Sequence, residues 1–493
     1  MSVIKFGTDG WRAGIAEEYT FENVRYCAQG TADYLIAAGL APQGMVIGCD
    51  LRFRSEDFAR AVAEVLAGNG IRAYLAKAAA PTPVLSYAIL PLKAAGGIWI
   101  TASHNPASDN GFKLRSSYAG AAAPETLAQV EERINAAQTQ ARINKLDYDQ
   151  GIKVGLIQLI DPVESYLEQL ARLIDTRPII EAGLRLVTDP MWGVGQGWFP
   201  KLLGGGQALI HPTAHGNQNL SGSKTLVHEI HGERNPLFPR MKRPEPIEEN
   251  LQDLLQTVRE WHGDAGLATD GDADRVGFVS EKGVFINQLQ VYALLAFYLL
   301  EVRQFRGPLV KTISTTVMAN KLAARYGVEV YETGVGFKYV APEMLRVDAI
   351  LGGEESGGFA FRGHIPERDG LLAGLYLLDL MVKMNMSPSK LLEHIFSLVG
   401  PHYYERIDRR LTPEERPAVM ARVDGVAPTA LAGLKVNEID KRDGYRYCLE
   451  DGGWVLIRFS GTEPVFRVYC ETTYEDKVGD LLAEGLKLAG LPA

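Results

Sequence analysis

A chain of 493 residues with 46% hydrophobic content is long enough for several domains, each with its own core. Its 60 acidic residues outnumber 51 basic ones, leaving a net charge of −9. That balance argues against nucleic acid as a main partner and requires any anionic ligand to meet locally concentrated positive charge. The four cysteines, at 27, 49, 448 and 470, form no CxxC and no metal spacing, so a reduced, cytoplasmic protein is the simplest expectation.

In chain order, the opening MSVIKFGTDGWR has no apolar signal region, and no apolar run approaches a membrane span. MVIGCD (45–50), IRAYLA (71–76) and GGIWITAS (96–103) read as strands, with helices near 21–38 and 55–68 between them. LRLVTDP (184–190) opens a second alternating block, whose loop WGVGQGW lacks the GxGxxG spacing of a dinucleotide fingerprint. VYALLAFYLL (291–300) and LLAGLYLLDLMV (371–382) read as buried helices, and LVKTIS (309–314) and VEVYETG (328–334) as strands of a third block. Strands alternating with helices in this way predict parallel or mixed α/β sheets. The pattern then changes: YYERIDRR, YRYCLE, WVLIRFS and FRVYCETT read as strands followed by one helix near 475–489, an α+β module.

Four polar segments interrupt this frame. TASHNP (101–106) puts Ser103 in a tight turn after the buried strand GGIWI, and TDGDADR (269–275) spaces Asp270, Asp272 and Asp274 two residues apart. Oxygen-only ligands at that density suit a hard divalent cation, magnesium above all. A serine beside magnesium points to phosphate chemistry, because phosphoryl transfer is mostly positioning and charge neutralisation. Three other readings compete. An EF-hand loop starting at Asp270 places Glu281 at its twelfth position, but Arg275 stands where the sharp turn needs glycine, and the flanks GLAT and VGFVS are β-prone. A solvated acidic turn needs no metal. A serine hydrolase would use His104 as base, yet Ser103 has no GxSxG elbow, and adjacent side chains on a strand point apart.

The other two segments are glycine-bracketed loops. RFSGTEPVFR (458–467) offers planar donors from Arg458 and Arg467, hydroxyls from Ser460 and Thr462, and close backbone approach at Gly461, as an oxyanion cradle requires. GGEESGGF (352–359) carries carboxylates that would repel phosphate, so it is suited to sugar hydroxyls instead.

The order TASHNP, DGDADR, GEESG, RFSGTEP resembles the α-D-phosphohexomutase superfamily, and FGTDGWR (6–12), NGFK (110–113) and GVGFK (334–338) fit it too. The motifs run from residue 6 to 467, essentially the whole chain. The resemblance implies three related mixed α/β-sheet domains plus a smaller C-terminal α+β domain around a central cleft. Its expected divisions are 1–165 with the phosphoserine loop, 166–285 with the metal loop, 286–400 with the sugar loop and 401–493 with the phosphate loop. It also implies that Ser103 carries the phosphoryl group exchanged with a hexose phosphate, through a bisphosphorylated intermediate. Asp270, Asp272, Asp274 and a phosphate oxygen on Ser103 would hold Mg2+. Arg12 and Lys113 would lie beside the reacting oxygen, Lys113 as general acid/base, with His104 assisting. Arg458, Ser460, Gly461, Thr462 and Arg467 would clamp the non-reacting phosphate. Glu354 and Ser356 would read sugar hydroxyls, with Gly336 near the ring and Arg275 near phosphate.

Substrate identity follows from the same loop. Phosphoglucosamine mutases usually carry Gln after the first Glu of this motif, where this chain has Glu355; glucose-preferring enzymes often carry GEES. Many dual glucose/mannose enzymes have His after SG; this chain has Gly358 there, and nearby His364 is a possible substitute. The expected reaction is interconversion of glucose 1-phosphate and glucose 6-phosphate, with glucose 1,6-bisphosphate as activator. The alternatives are a dual phosphomannomutase/phosphoglucomutase, a phosphoglucosamine mutase, a bisphosphate synthase or hydrolase, and a non-catalytic sugar-phosphate sensor. A monomer or homodimer without nucleic-acid or membrane partners completes the expectation.

Overall fold

The structure, a computed structural model, describes residues 4–7, 10–204, 224–459 and 465–492. The chain forms two compact units, residues 1–286 with 356–389, and residues 287–355 with 390–493.

The first unit contains two sheets. In one, the wholly buried Met45–Cys49 lies parallel to Ala73–Ala76 and Gly96–Ile100, and Ile157–Ile160 extends the parallel set. Strands covered on both faces read as continuous apolar runs, which is why MVIGC and GGIWI stand out in the sequence. Asp109–Ser116 then pairs antiparallel with Gly96–Ile100, and Trp11–Gly14 pairs antiparallel with it in turn. The order is Trp11–Gly14, Asp109–Ser116, Gly96–Ile100, Met45–Cys49, Ala73–Ala76, Ile157–Ile160. Helices Phe21–Ala37 and Ser55–Gly68 pack onto it, with Val24, Phe58, Val62, Ile47, Ile98 and Ile134 in one core.

The second sheet runs Phe285–Ile286, Val276–Ser280, Ala265–Thr269, Arg185–Asp189, Leu226–Glu229. Ala265–Thr269 and Val276–Ser280 pair antiparallel, so the acidic run is the loop of a hairpin. The helix on each side that an EF-hand requires does not exist here. Residues 356–389 also belong to this unit: Asp369 caps helix Gly370–Met384, and Gly358 bridges to Arg275.

Glu229 closes this sheet under strain of charge. Both its carboxylate oxygens accept from the Gly197 N–H, at 2.9 and 3.1 Å, yet burial pushes its pKa up to about 7. A carboxyl raised above its unfolded value holds a proton in the folded state that the unfolded chain releases. Stability is therefore full below the unfolded value near 4.5 and is lost as pH rises towards 7. The loss amounts to about 3 kcal/mol. Glu229→Gln should raise the unfolding midpoint at pH 8 and leave it nearly unchanged at pH 4.5, as thermal melts at both values would show.

In the second unit, Val330–Thr333, Leu309–Thr312 and Leu351–Gly353 run parallel, flanked by helices Gln288–Phe297, Met318–Tyr326 and Phe337–Val347. The C-terminal sheet is antiparallel, in the order Tyr403–Arg410, Val465–Thr472, Trp454–Phe459, Tyr445–Leu449, Leu434–Asp440, Ala430–Leu431. Its residues alternate between two faces. Phe466, Val468, Cys470, Val455 and Ile457 pack with helix Val478–Leu488, while Trp454, Leu456 and Tyr469 pack with Leu289 and Ile313 of the parallel block. Glu471, fully buried, accepts from Trp454 Nε1 at 3.0 Å, from the Val317 N–H at 2.8 Å and from the Thr316 hydroxyl. Among the described residues, no helix is long and apolar enough to cross a membrane.

Candidate active site

Chemistry-bearing side chains gather where strands end, as open α/β sheets generally arrange them. The chain leaves Gly96–Ile100 and turns at Ser103, which is buried with φ +52°. That turn is held from below. Arg52 donates from Nη2 to Ser103 O and Asn105 O, both at 2.6 Å, and from Nη1 to Pro106 O at 2.7 Å and Asp109 O at 3.1 Å. Asp50, at the end of Met45–Cys49, pairs with Arg52 Nε at 3.2 Å and accepts from the Thr101 hydroxyl at 2.6 Å. The Thr101 hydroxyl oxygen in turn accepts from the Ser103 N–H at 2.9 Å.

So positioned, the Ser103 hydroxyl donates to Asp270 Oδ2 at 2.7 Å. The two loops touch backbone to backbone: a Cβ on Gly271 would lie 2.5 Å from Ser103 O, so only glycine fits between the first and second aspartates. Asp270, Asp272 and Asp274 each present an oxygen within 4.8 Å of the others, all buried. Among the described residues, Asp272 Oδ1 and Asp274 Oδ1 have no hydrogen-bond partner. Burial, with the charges of Asp274 and Asp272, pushes the Asp270 carboxyl well above its usual range. Buried carboxylates with orphaned oxygens are a donor set that fits a hard divalent cation, and a solvated acidic turn would show none of this burial.

Cations already surround the triad. Burial raises Asp272, but Lys113 outweighs it at 2.9 Å and holds that carboxyl well down. Lys113, fully buried on Asp109–Ser116, is also 3.8 Å from Asp274. Arg275 lies 4.0 Å from Asp270, 3.9 Å from Asp274 and 3.4 Å from Glu245. Arg12 donates to Asn105 Oδ1 at 2.7 Å, inside the serine turn. His104 Nδ1 stands 3.4 Å from Ser103 Oγ, contrary to the strand argument, because the segment is a turn and not a strand. Burial and the charges of Arg275 and Arg12 hold its pKa well below 6.5, so the ring is neutral near pH 7.

Several residues of this site were not singled out from sequence. The Thr82 hydroxyl donates to Asp272 Oδ2 at 2.8 Å. Arg368 Nη2 reaches Asp274 Oδ2 at 2.8 Å, and behind it Glu367 pairs with Arg368 Nε at 3.2 Å and Arg115 Nε at 2.5 Å. Arg368 also accounts for Gly358: a Cβ there would sit 2.3 Å from its Cδ, leaving no room for a larger side chain. His364 is paired through one ring nitrogen. Its Nε2 is 3.0 Å from Asp369 Oδ2, which also accepts from the Tyr166 hydroxyl at 2.8 Å, and its side chain is buried.

Ser356, in the first unit, has a buried hydroxyl without a hydrogen-bond partner among the described residues. The remaining candidates lie in the second unit. Glu354 is buried, and Gly336, with φ +131°, precedes helix Phe337–Val347. Arg458 and Arg467 are cross-strand partners at the ends of Trp454–Phe459 and Val465–Thr472. Ser460, Gly461 and Thr462 lie outside the described residues.

Family models match almost the full length: phosphoglucomutase/phosphomannomutase α/β/α domains I, II and III at residues 3–141, 164–283 and 287–399, and the C-terminal domain at 409–488. A Thermococcus kodakarensis phosphoglucomutase/phosphomannomutase is 31% identical, covering 98% of both chains. A Methanothermobacter thermautotrophicus protein named “probable phosphoglucosamine mutase” is 30% identical over 96% of this chain and 94% of its own. A solved Thermus thermophilus structure, described as a “putative phosphomannomutase”, superposes with a TM-score of 0.83 at 34% identity over 99% of both chains. With its three α/β domains, its antiparallel C-terminal sheet and its serine against three aspartates, the chain belongs to the phosphoglucomutase/phosphomannomutase family, the α-D-phosphohexomutases.

Proposed function

We propose that the protein interconverts glucose 1-phosphate and glucose 6-phosphate through a phosphorylated Ser103, with Mg2+ as its cation and glucose 1,6-bisphosphate as activator. The observation that carries this reading is the Ser103 hydroxyl 2.7 Å from Asp270, one of three clustered, buried aspartates. Asp270, Asp272 and Asp274 would hold the cation, which supplies charge neutralisation at the transferring group. In the forward step the bond between Ser103 Oγ and phosphorus breaks as a sugar hydroxyl oxygen bonds to that phosphorus. Lys113, a cation beside Asp272, is the candidate general acid/base: it gives a proton to the leaving Ser103 Oγ and takes up the sugar hydroxyl proton. The bisphosphate then returns its other phosphoryl group to Ser103 Oγ, and a proton goes back to the sugar oxygen.

Arg12 holds the serine turn through Asn105, and neutral His104 can exchange a hydrogen bond with Ser103 without adding charge. Arg275 and Arg368 balance the aspartates and keep their carboxylates oriented. Arg458, Arg467, Ser460, Gly461 and Thr462 are assigned to the non-reacting phosphate, and Glu354, Ser356 and Gly336 to the sugar. Water must be excluded during the reaction, since a phosphoserine open to solvent would hydrolyse.

The GEES sequence favours glucose, while the names of the relatives keep mannose and glucosamine phosphates as alternatives. A panel of glucose, mannose and glucosamine 1-phosphates, assayed with Mg2+ and catalytic glucose 1,6-bisphosphate, decides between them. The expected result is the highest kcat/KM for glucose 1-phosphate without release of free phosphate. Equal glucose and mannose values would make the enzyme dual, and phosphate release would indicate a hydrolase.

A further inference from the structure

The second glutamate of the GEESG segment does not stand free to meet a ligand. Glu355 Oε1 accepts from the Tyr404 hydroxyl at 2.6 Å and from Arg406 Nη1 at 3.0 Å. Arg406 Nε continues to Asp408 Oδ1 at 3.0 Å, and Asp408 Oδ2 meets Arg467 Nε at 3.4 Å. Tyr404, Arg406 and Asp408 alternate along Tyr403–Arg410, so they share one face of the sheet, and Asp408 is the cross-strand partner of Arg467.

A second line of contacts reaches the other arginine. Arg458 Nε donates to Asp443 Oδ2 at 3.1 Å, and that oxygen also accepts the Val335 N–H at 2.7 Å, inside the GVGFK segment. Arg458 and Arg467 face each other across two strands, where like charges repel unless each has its own counter-ion. Asp443 is shared directly with the GVGFK loop, and Asp408 is linked to Glu355 of the GEESG loop through Arg406.

We infer that Glu355 and Asp443 are positioning residues, holding Arg467 and Arg458 in register with the GEESG and GVGFK loops. The inference rests on the reading above that these arginines clamp the non-reacting phosphate. Glu355 thereby acts on the phosphate end of the substrate and not on its sugar. One alternating ion-pair line and one ion pair anchored on a backbone N–H hold the two guanidinium groups before the ligand arrives, which lowers the ordering cost of binding.

Full-length Glu355→Gln and Asp443→Asn test it, with Asp408→Asn as a variant farther along the first line. Each should raise KM for glucose 1-phosphate about tenfold, the worth of one charge-assisted hydrogen bond, with kcat within about threefold of the parent. The inhibition constant of inorganic phosphate should rise by the same factor, and the glucose-to-mannose preference should stay unchanged. Unaltered KM and phosphate inhibition would overturn the inference. So would an altered hexose preference with unaltered phosphate inhibition, which would make Glu355 a sugar contact. Ser103→Ala run alongside separates the two levels: retained turnover there defeats the mutase reading itself, whereas lost turnover with parent-like relay variants defeats the relay alone.

Discussion

Ser103→Ala should abolish turnover, with a loss on the order of 10⁴-fold, while leaving the fold intact. The size follows from the role: the hydroxyl is the atom that exchanges the phosphoryl group, and no neighbour can replace it. The His104 ring stands 3.4 Å from Ser103 Oγ and not in its position, and Asp270, at 2.7 Å, is assigned to the cation. The fold survives because Asp270 keeps the Asp274 and Arg275 N–H donors at 3.0 and 3.2 Å, so its loop does not depend on the serine. A coupled assay of hexose 6-phosphate formation beside a thermal melt measures both halves. Activity within tenfold of the parent would place the phosphoryl carrier elsewhere.

Arg52→Met should be the most damaging substitution outside the reacting atoms. The Arg52 side chain, 1% exposed, satisfies four backbone carbonyls of the serine turn and the buried Asp50. Methionine replaces the aliphatic part of the side chain and supplies none of its donors. Breaking a buried pair and leaving its partner charged costs about 3–5 kcal/mol. Each orphaned carbonyl adds to that. The turn would also relax from the conformation that aims Ser103 at Asp270, and ångström-scale misplacement of a reacting group can lower kcat about 100-fold. Arg52→Lys should recover part of the stability and little of the rate, since one ammonium cannot span four carbonyls. Urea denaturation together with kcat tests this, and a Met variant as stable and active as the parent would refute the role.

The sequence reading reached the parts of this molecule whose signal is local. Wholly buried strands such as MVIGC and GGIWI announce themselves as apolar runs, and 291–300 and 371–382 are buried helical segments as expected. The β-prone flanks of TDGDADR turned out to be paired strands. What escaped depends on contacts far apart in the chain. Thr82 lies 190 residues from the Asp272 it bonds, and nothing in PTPVL marks it. Arg52 and Arg368 look like ordinary surface arginines until folding buries them against carbonyls and carboxylates. The strand argument that pointed His104 away from Ser103 failed because the segment is a turn. The CDLR segment did carry a usable signal: an acid and an arginine at the carboxyl end of a buried parallel strand, where α/β sheets place their sites.

The central claim is that Ser103 carries the phosphoryl group, and peptide mapping by mass spectrometry tests it most directly. The protein is incubated with Mg2+ and glucose 1,6-bisphosphate, quenched and digested. One phosphoryl group is expected on the peptide containing Ser103, removed when glucose 1-phosphate and a bisphosphate trap are added. Isomerisation with that peptide unmodified throughout, or with the phosphoryl group on another residue, would contradict it.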